Sequence, residues 1–184
     1  FKDWDEYFKI KMKLKKNFIK LILKYSNGQK PILECGCGTG KTSVYLSSLG
    51  IDTYAMDIED AMVKETKKRS RKTNPSNLVN VFKGDIRKIP YKDKFFSVTH
   101  SSGVLEHFSD EEIINIINEE LRVSDYCIFS VPTKYFDKKM ELRDKRYSMF
   151  DKNQIDSMMS FNSGNMVPLE EENTNNVENS LAGN

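Results

Sequence analysis

Apolar positions recur at roughly helical spacing over the first part of the chain. From Asp3 to Tyr25 they are Trp4, Phe8, Met12, Phe18, Leu21, Ile22 and Tyr25, with lysines between them. This pattern predicts an amphipathic leading helix, and Asn27-Gly28 marks its end. From Pro31 the pattern changes to short continuous apolar runs that alternate with helical stretches. Pro31 to Cys35, Ile51 to Met56, Leu78 to Phe82, Phe95 to His100 and Tyr126 to Val131 read as five strands. Thr39 to Leu49, Asp60 to Arg71 and Ser109 to Arg122 read as the intervening helices, closed by Gly50, by Asn74-Pro75 and after Arg122. The third helix opens on Ser109-Asp110-Glu111-Glu112, a capping-box pattern, and lines Ile113, Ile117 and Leu121 along one face.

Strands whose apolar runs are continuous rather than alternating, separated by helices, imply an α/β fold with a doubly wound, mostly parallel sheet covered on both faces. Ligands of such sheets bind at the carboxyl ends of the strands. The organisation expected is a leading helix over 1–30, an α/β core over 31–134, a partial helical segment over 135–161 and a polar tail over 162–184. Ile155, Met158 and Met159 give the third segment an apolar side, whereas the tail is rich in Asn, Glu, Ser and Gly and is expected to be disordered.

Composition narrows this picture without redirecting it. The 184 residues suit one domain, and 38% apolar residues supply a core. Lys and Arg number 29 against 27 acidic residues, a net +2, so no field favours a nucleic-acid or membrane partner. The basic side of the leading helix is read as a solvated face. The chain shows neither a membrane-length apolar run nor a signal peptide, so a cytoplasmic protein is expected. It begins at Phe1, which leaves open a fragment with a targeting segment upstream. Cys35, Cys37 and Cys127 suggest no disulfide framework, and no metal site is expected because no other Cys or His stands at ligand spacing.

The first strand runs into Glu34-Cys35-Gly36-Cys37-Gly38-Thr39-Gly40, three glycines at alternate positions before a helix. Such a turn admits positive φ and close approach of a ligand to the backbone. A dinucleotide loop needs glycine where Lys41 stands. A phosphate loop ending in Gly40-Lys41-Thr42 would place its first glycine at Cys35, so its spacing misses by one residue. Asp57 ends the second strand about twenty residues on, where a carboxylate can accept from two ribose hydroxyls; a solvated strand-end Asp is the alternative. Gly84-Asp85-Ile86 follows the third strand, and Gly103-Val104-Leu105-Glu106-His107 the fourth.

Together with Glu119 to Val123 and Ile128 to Pro132, these segments resemble, in order over residues 31–134, the class I S-adenosylmethionine-dependent methyltransferases of the small-molecule type. The resemblance implies a Rossmann-like fold, S-adenosyl-L-methionine as cofactor and methyl transfer to a small-molecule acceptor. It implies a cofactor site of Glu34, Gly36, Cys37, Gly38, Gly40, Asp57, Ile58, Asp85, Ile86, Ser101 and Ser102. In it the glycine loop wraps the methionine moiety, Asp85 accepts from the adenine amino group and Ile86 packs on the ring.

Methyl transfer needs a general base only when the acceptor atom is protonated. His107 is the candidate, and a structural place at the start of the following helix is its other reading. His100 reads as packing or backbone support. Tyr7 and Phe8 offer cation-π contact to a sulfonium, with core packing as the alternative. The final antiparallel pair of strands found in this family is missing from the pattern, which would leave an open sheet edge for a partner chain. An inactive cofactor-binding or scaffold protein of the same descent is therefore the alternative to an enzyme.

Overall fold

A computed structural model of the chain describes residues 15–131. Helix α1 (Lys16–Tyr25) leads into β1 (Ile32–Cys35), α2 (Lys41–Ser48), β2 (Thr53–Asp57), α3 (Asp60–Thr73), β3 (Asn80–Lys83) and β4 (Phe96–Ser102). A short 3-10 turn (Leu105–His107), α4 (Asp110–Val123) and β5 (Ser124–Ser130) complete it. The five strands pair in the order β3-β2-β1-β4-β5, every pair parallel. The expected α/β, doubly wound parallel sheet is the fold observed.

Alternation along β1 separates two cores. Ile32 faces α1 and α2, packing with Phe18, Ile19, Ile22, Leu46, Val98 and Ile128. Leu33 and Cys35 face the other way, into a layer that contains Met56, Phe96, Ile113, Ile116 and Ile117. Each fully buried side chain of this size contributes roughly 1.5–3 kcal/mol of transfer free energy, so covering both faces is what makes a short sheet stable. Helix α4 opens with the expected capping box, Ser109 with Glu112. Three acids in its first turn and Arg122 in its last complement the helix dipole.

Three strand starts move by two residues, each for a local reason. The second strand begins at Thr53, because the Ile51 amide donates to Leu46 O and closes α2. The third begins at Asn80: Leu78 is 47% exposed, and the Val79 amide is taken by the Ser70 hydroxyl. The fifth begins at Ser124, directly on the last residue of α4, where the Ser124 hydroxyl donates to Glu120 O.

Outside the described residues lie the first part of the stretch expected as a leading helix, with Tyr7 and Phe8, the 135–161 segment and the 162–184 tail. The missing antiparallel pair, and with it the reading of an open edge for a partner chain, lies there too. No helix among the described residues is long and apolar enough to cross a membrane.

Candidate functional site

Parallel register gathers four chain segments at one end of the sheet. Cys35 lies beside Met56 on one side and Ser101 on the other, and Asp57 lies beside Lys83. The segments that leave these strands are the glycine loop, Asp57-Ile58-Glu59, Gly84-Asp85-Ile86 and Ser102-Gly103-Val104. All of the site residues expected from sequence lie on or directly after these strand ends.

Backbone hydrogen bonds tie the segments together. The Cys37 amide donates to Met56 O at 2.9 Å, and the Gly84 amide to Asp57 O at 3.1 Å. The Gly38 amide donates to Asp57 Oδ2 at 2.8 Å, while Asp57 Oδ1 accepts from the Glu59 amide at 2.9 Å. The Asp57 carboxylate therefore fastens the glycine loop to the start of α3, and a second lone pair on each oxygen is left for a ligand. Thr66, buried on the inner face of α3, donates to Gly38 O at 3.0 Å.

Two glycines serve different ends. Gly36, at φ +66°, would place a Cβ 2.6 Å from Val104 Cγ2, so its bare backbone lets the segment after β4 close on the loop. Gly38, at φ +53°, would direct a Cβ into space with no atom of the described residues within 4 Å. That opening lies beside Asp57, where a ligand can lie flat against peptide units.

Glu34 is buried below the loop rather than directed across it. Its Oε2 accepts from the Ser43 amide at 2.9 Å and from the Ser43 hydroxyl, which pins the first turn of α2. Burial raises its pKa, against the opposing effect of the Ser43 hydrogen bonds. Lys15 Nζ reaches Thr42 Oγ1 at 3.4 Å on the same side. Cys37 is buried, its thiol pushed up to about 12 by burial and by Glu34, so it is a neutral packing group and no nucleophile.

Ile58 is 55% exposed, one of three large apolar side chains so exposed among the described residues. Ile86, by contrast, is 7% exposed and packs into the core with Met56 and Ile89. Asp85 is held by its neighbour: Arg87 Nη2 donates to Oδ2 at 2.7 Å, and the guanidinium lowers the carboxyl pKa. Ser101 is buried, its hydroxyl without a hydrogen-bond partner among the described residues, and Ser102 is half-buried.

The two histidines part company. His107 is exposed at the end of the 3-10 turn, its amide donating to Val104 O at 3.2 Å. His100 is fully buried, its ring edge-on to Phe18 at 5.9 Å. Neither of its ring nitrogens has a hydrogen-bond partner among the described residues. Burial, with the charge of Lys15, lowers its pKa to about 3, so it is neutral packing beneath α1. Among the described residues no group of three or more His, Cys, Asp or Glu is placed to hold a metal ion.

Sequence reasoning did not find Ser43, Thr66 or Val104, which support the loop from behind, or the grip of Arg87 on Asp85. Thr66 carried a readable signal, since Val63, Thr66 and Ser70 form the buried face of α3.

A family model described as a methyltransferase domain matches residues 32–125, just over half of the 184 residues. The uncharacterized methyltransferase YodH of Bacillus subtilis (strain 168) is 30% identical over 99 residues, 54% of this chain and 42% of that protein. The chain thus matches less than half the length of this relative. Magnesium protoporphyrin IX methyltransferase from Synechocystis PCC 6803, solved with bound SAH, superposes with a TM-score of 0.69 at 19% identity, covering 82% of this chain and 72% of that one. Geranyl diphosphate C-methyltransferase from Streptomyces coelicolor A3(2) superposes with a TM-score of 0.64 at 11% identity, covering 82% and 60%. At such identities the two structures speak for the fold.

Proposed function

The chain belongs to the methyltransferase-domain family, and on that premise we propose that it binds S-adenosyl-L-methionine at the carboxyl ends of its strands and methylates a small molecule. The observation that carries this reading is the junction of Gly38 with Asp57. A carboxylate with spare acceptor capacity stands 2.8 Å from the loop amide, beside space that no side chain among the described residues fills.

In this reading Gly36, Cys37, Gly38 and Gly40 offer backbone to the amino-acid part of the cofactor, and Glu34 acts from below by holding α2 against the loop. Asp57 accepts from the ribose hydroxyls. Ile58 supplies the exposed apolar wall for the base, with Ile86 behind it in the core and Asp85 at its edge. Ser101 and Ser102 complete the floor at the end of β4. The residues present thus fit the group, whose contribution when bound is a methyl carbon activated by a sulfonium leaving group.

What the chain itself must add is position. Holding two reactants in line supplies roughly 7–11 kcal/mol of a barrier without any group on the protein changing its protonation. In this reading His107, exposed after β4, takes the proton if the acceptor atom carries one. Support for a small-molecule acceptor comes from the Gly103-Val104-Leu105-Glu106-His107 segment and from structural neighbours named for a porphyrin and a prenyl diphosphate.

Calorimetric titration of the full chain with S-adenosylhomocysteine, beside magnesium-ATP and NAD, tests the reading. Saturable binding of S-adenosylhomocysteine alone, weakened at least about tenfold by Asp57→Ala, is expected, as charge-assisted hydrogen bonds contribute about 1.5–3 kcal/mol. A folded protein that ignores S-adenosylhomocysteine refutes it.

A further inference from the structure

Asp85 meets any ligand with its acceptor capacity already taken. Its Oδ1 accepts from the Arg87 amide at 2.9 Å and from Arg87 Nε at 3.0 Å; its Oδ2 accepts from Nε at 3.2 Å and from Nη2 at 2.7 Å. A carboxylate offers about four acceptor positions, so an incoming amine must displace the guanidinium. The same guanidinium has a second carboxylate close by: Nη1 lies 3.6 Å from Glu112 Oε1. Glu112 stays in place, because its Oε2 accepts from the Ser109 amide and hydroxyl at the head of α4.

We infer that Arg87 is a built-in competitor for Asp85 that a base carrying an exocyclic amine displaces onto Glu112, so that it tempers the affinity of the site for that base. The inference depends on the cofactor reading above, in which Asp85 stands at the edge of an adenine. Asp85 and Arg87 are 36% and 51% exposed, so water screens the pair and the exchange is easy. A 6-oxo base lacks the exocyclic N–H, offers only its ring N1–H and turns an acceptor oxygen toward Asp85, so the ion pair stays closed. Residues on two elements are joined by the exchange, since Asp85 follows β3 and Glu112 begins α4.

The test compares S-adenosylhomocysteine with its 6-oxo analogue, S-inosylhomocysteine, on wild type, Arg87→Gln, Glu112→Gln and the double variant. The Arg87 amide bond to Asp85 needs no side chain, so the turn survives Arg87→Gln. Removing the competitor should tighten S-adenosylhomocysteine about two- to fivefold, the range of an exposed ion pair. The gap should narrow at high salt, and the inosine analogue should bind no tighter. Glu112→Gln should weaken the adenosine ligand with Arg87 present and leave it unchanged with Arg87→Gln, a coupling that a merely structural role would not produce. Equal effects on both ligands, or none, overturn the inference while the cofactor reading stands. Failure of wild type to bind either ligand overturns both.

Discussion

Glu120 projects from α4 into the sheet, where its Oε2 accepts from Cys127 Sγ on β5 at 2.7 Å. Cys35 on β1 and Thr99 on β4 face the same carboxyl. Burial holds both thiols well above their ordinary pKa, and no positive charge among the described residues offsets the burial of Glu120. Its own pKa rises from 4.5 to about 7, with loss of hydration as the main cause. Below about pH 4.5 the group is protonated whether the chain is folded or not, and the stability it permits is fully present. Between 4.5 and 7 the unfolded chain ionises while the folded one keeps its proton, so stability falls as pH rises, and it levels off above 7. At about 1.4 kcal/mol per unit, the loss is about 3 kcal/mol. Glu34 and Glu106 are shifted the same way, whereas Asp85, Glu112 and Glu119 are lowered and lose their contribution only at acid pH. Glu120→Gln isolates the one group. Urea unfolding of both proteins from pH 4.5 to 8 should show the variant gaining about 3 kcal/mol on wild type across that window. A difference that stays flat to within about 1 kcal/mol would refute a buried, neutral Glu120.

Two further substitutions probe the frame of the site. Gly36→Ala forces a Cβ to 2.6 Å from Val104 at a positive φ, and thermal unfolding should report a loss of about 1–3 kcal/mol. Ser109→Ala removes the hydroxyl that accepts from the Glu112 amide at the head of α4; the expected loss is about 1 kcal/mol in denaturant unfolding, with S-adenosylhomocysteine affinity within about twofold of wild type.

Much of this architecture was legible because its signals are local. A strand buried on both faces, such as β1, is apolar apart from Glu34, and a capping box requires its two residues three apart. Edges were harder. Leu78 and Val79 extend the apolar run before β3, yet Leu78 points into solvent; Ser124 and Asp125 look like loop residues, yet Ser124 is fully buried at the start of β5. At the site, the glycines were readable because their backbone geometry excludes other residues. The pairing of Glu34 with Ser43 was not, since it depends on how α2 returns over β1. Glu120 lay between the two cases. It continues the buried row of Ile113, Ile116 and Ile117, so its spacing announced an acid on the apolar face, but only the packed sheet reveals the thiol against it.

If the glycine loop and the ends of β2, β3 and β4 form one cofactor site, amide chemical shifts recorded while S-adenosylhomocysteine is added should move saturably. The largest shifts are expected at Gly38, Ile58, Asp85 and Ser102, and they should be lost in Asp57→Ala. Shifts confined to the opposite end of the sheet, or none in a folded protein, would contradict such a site.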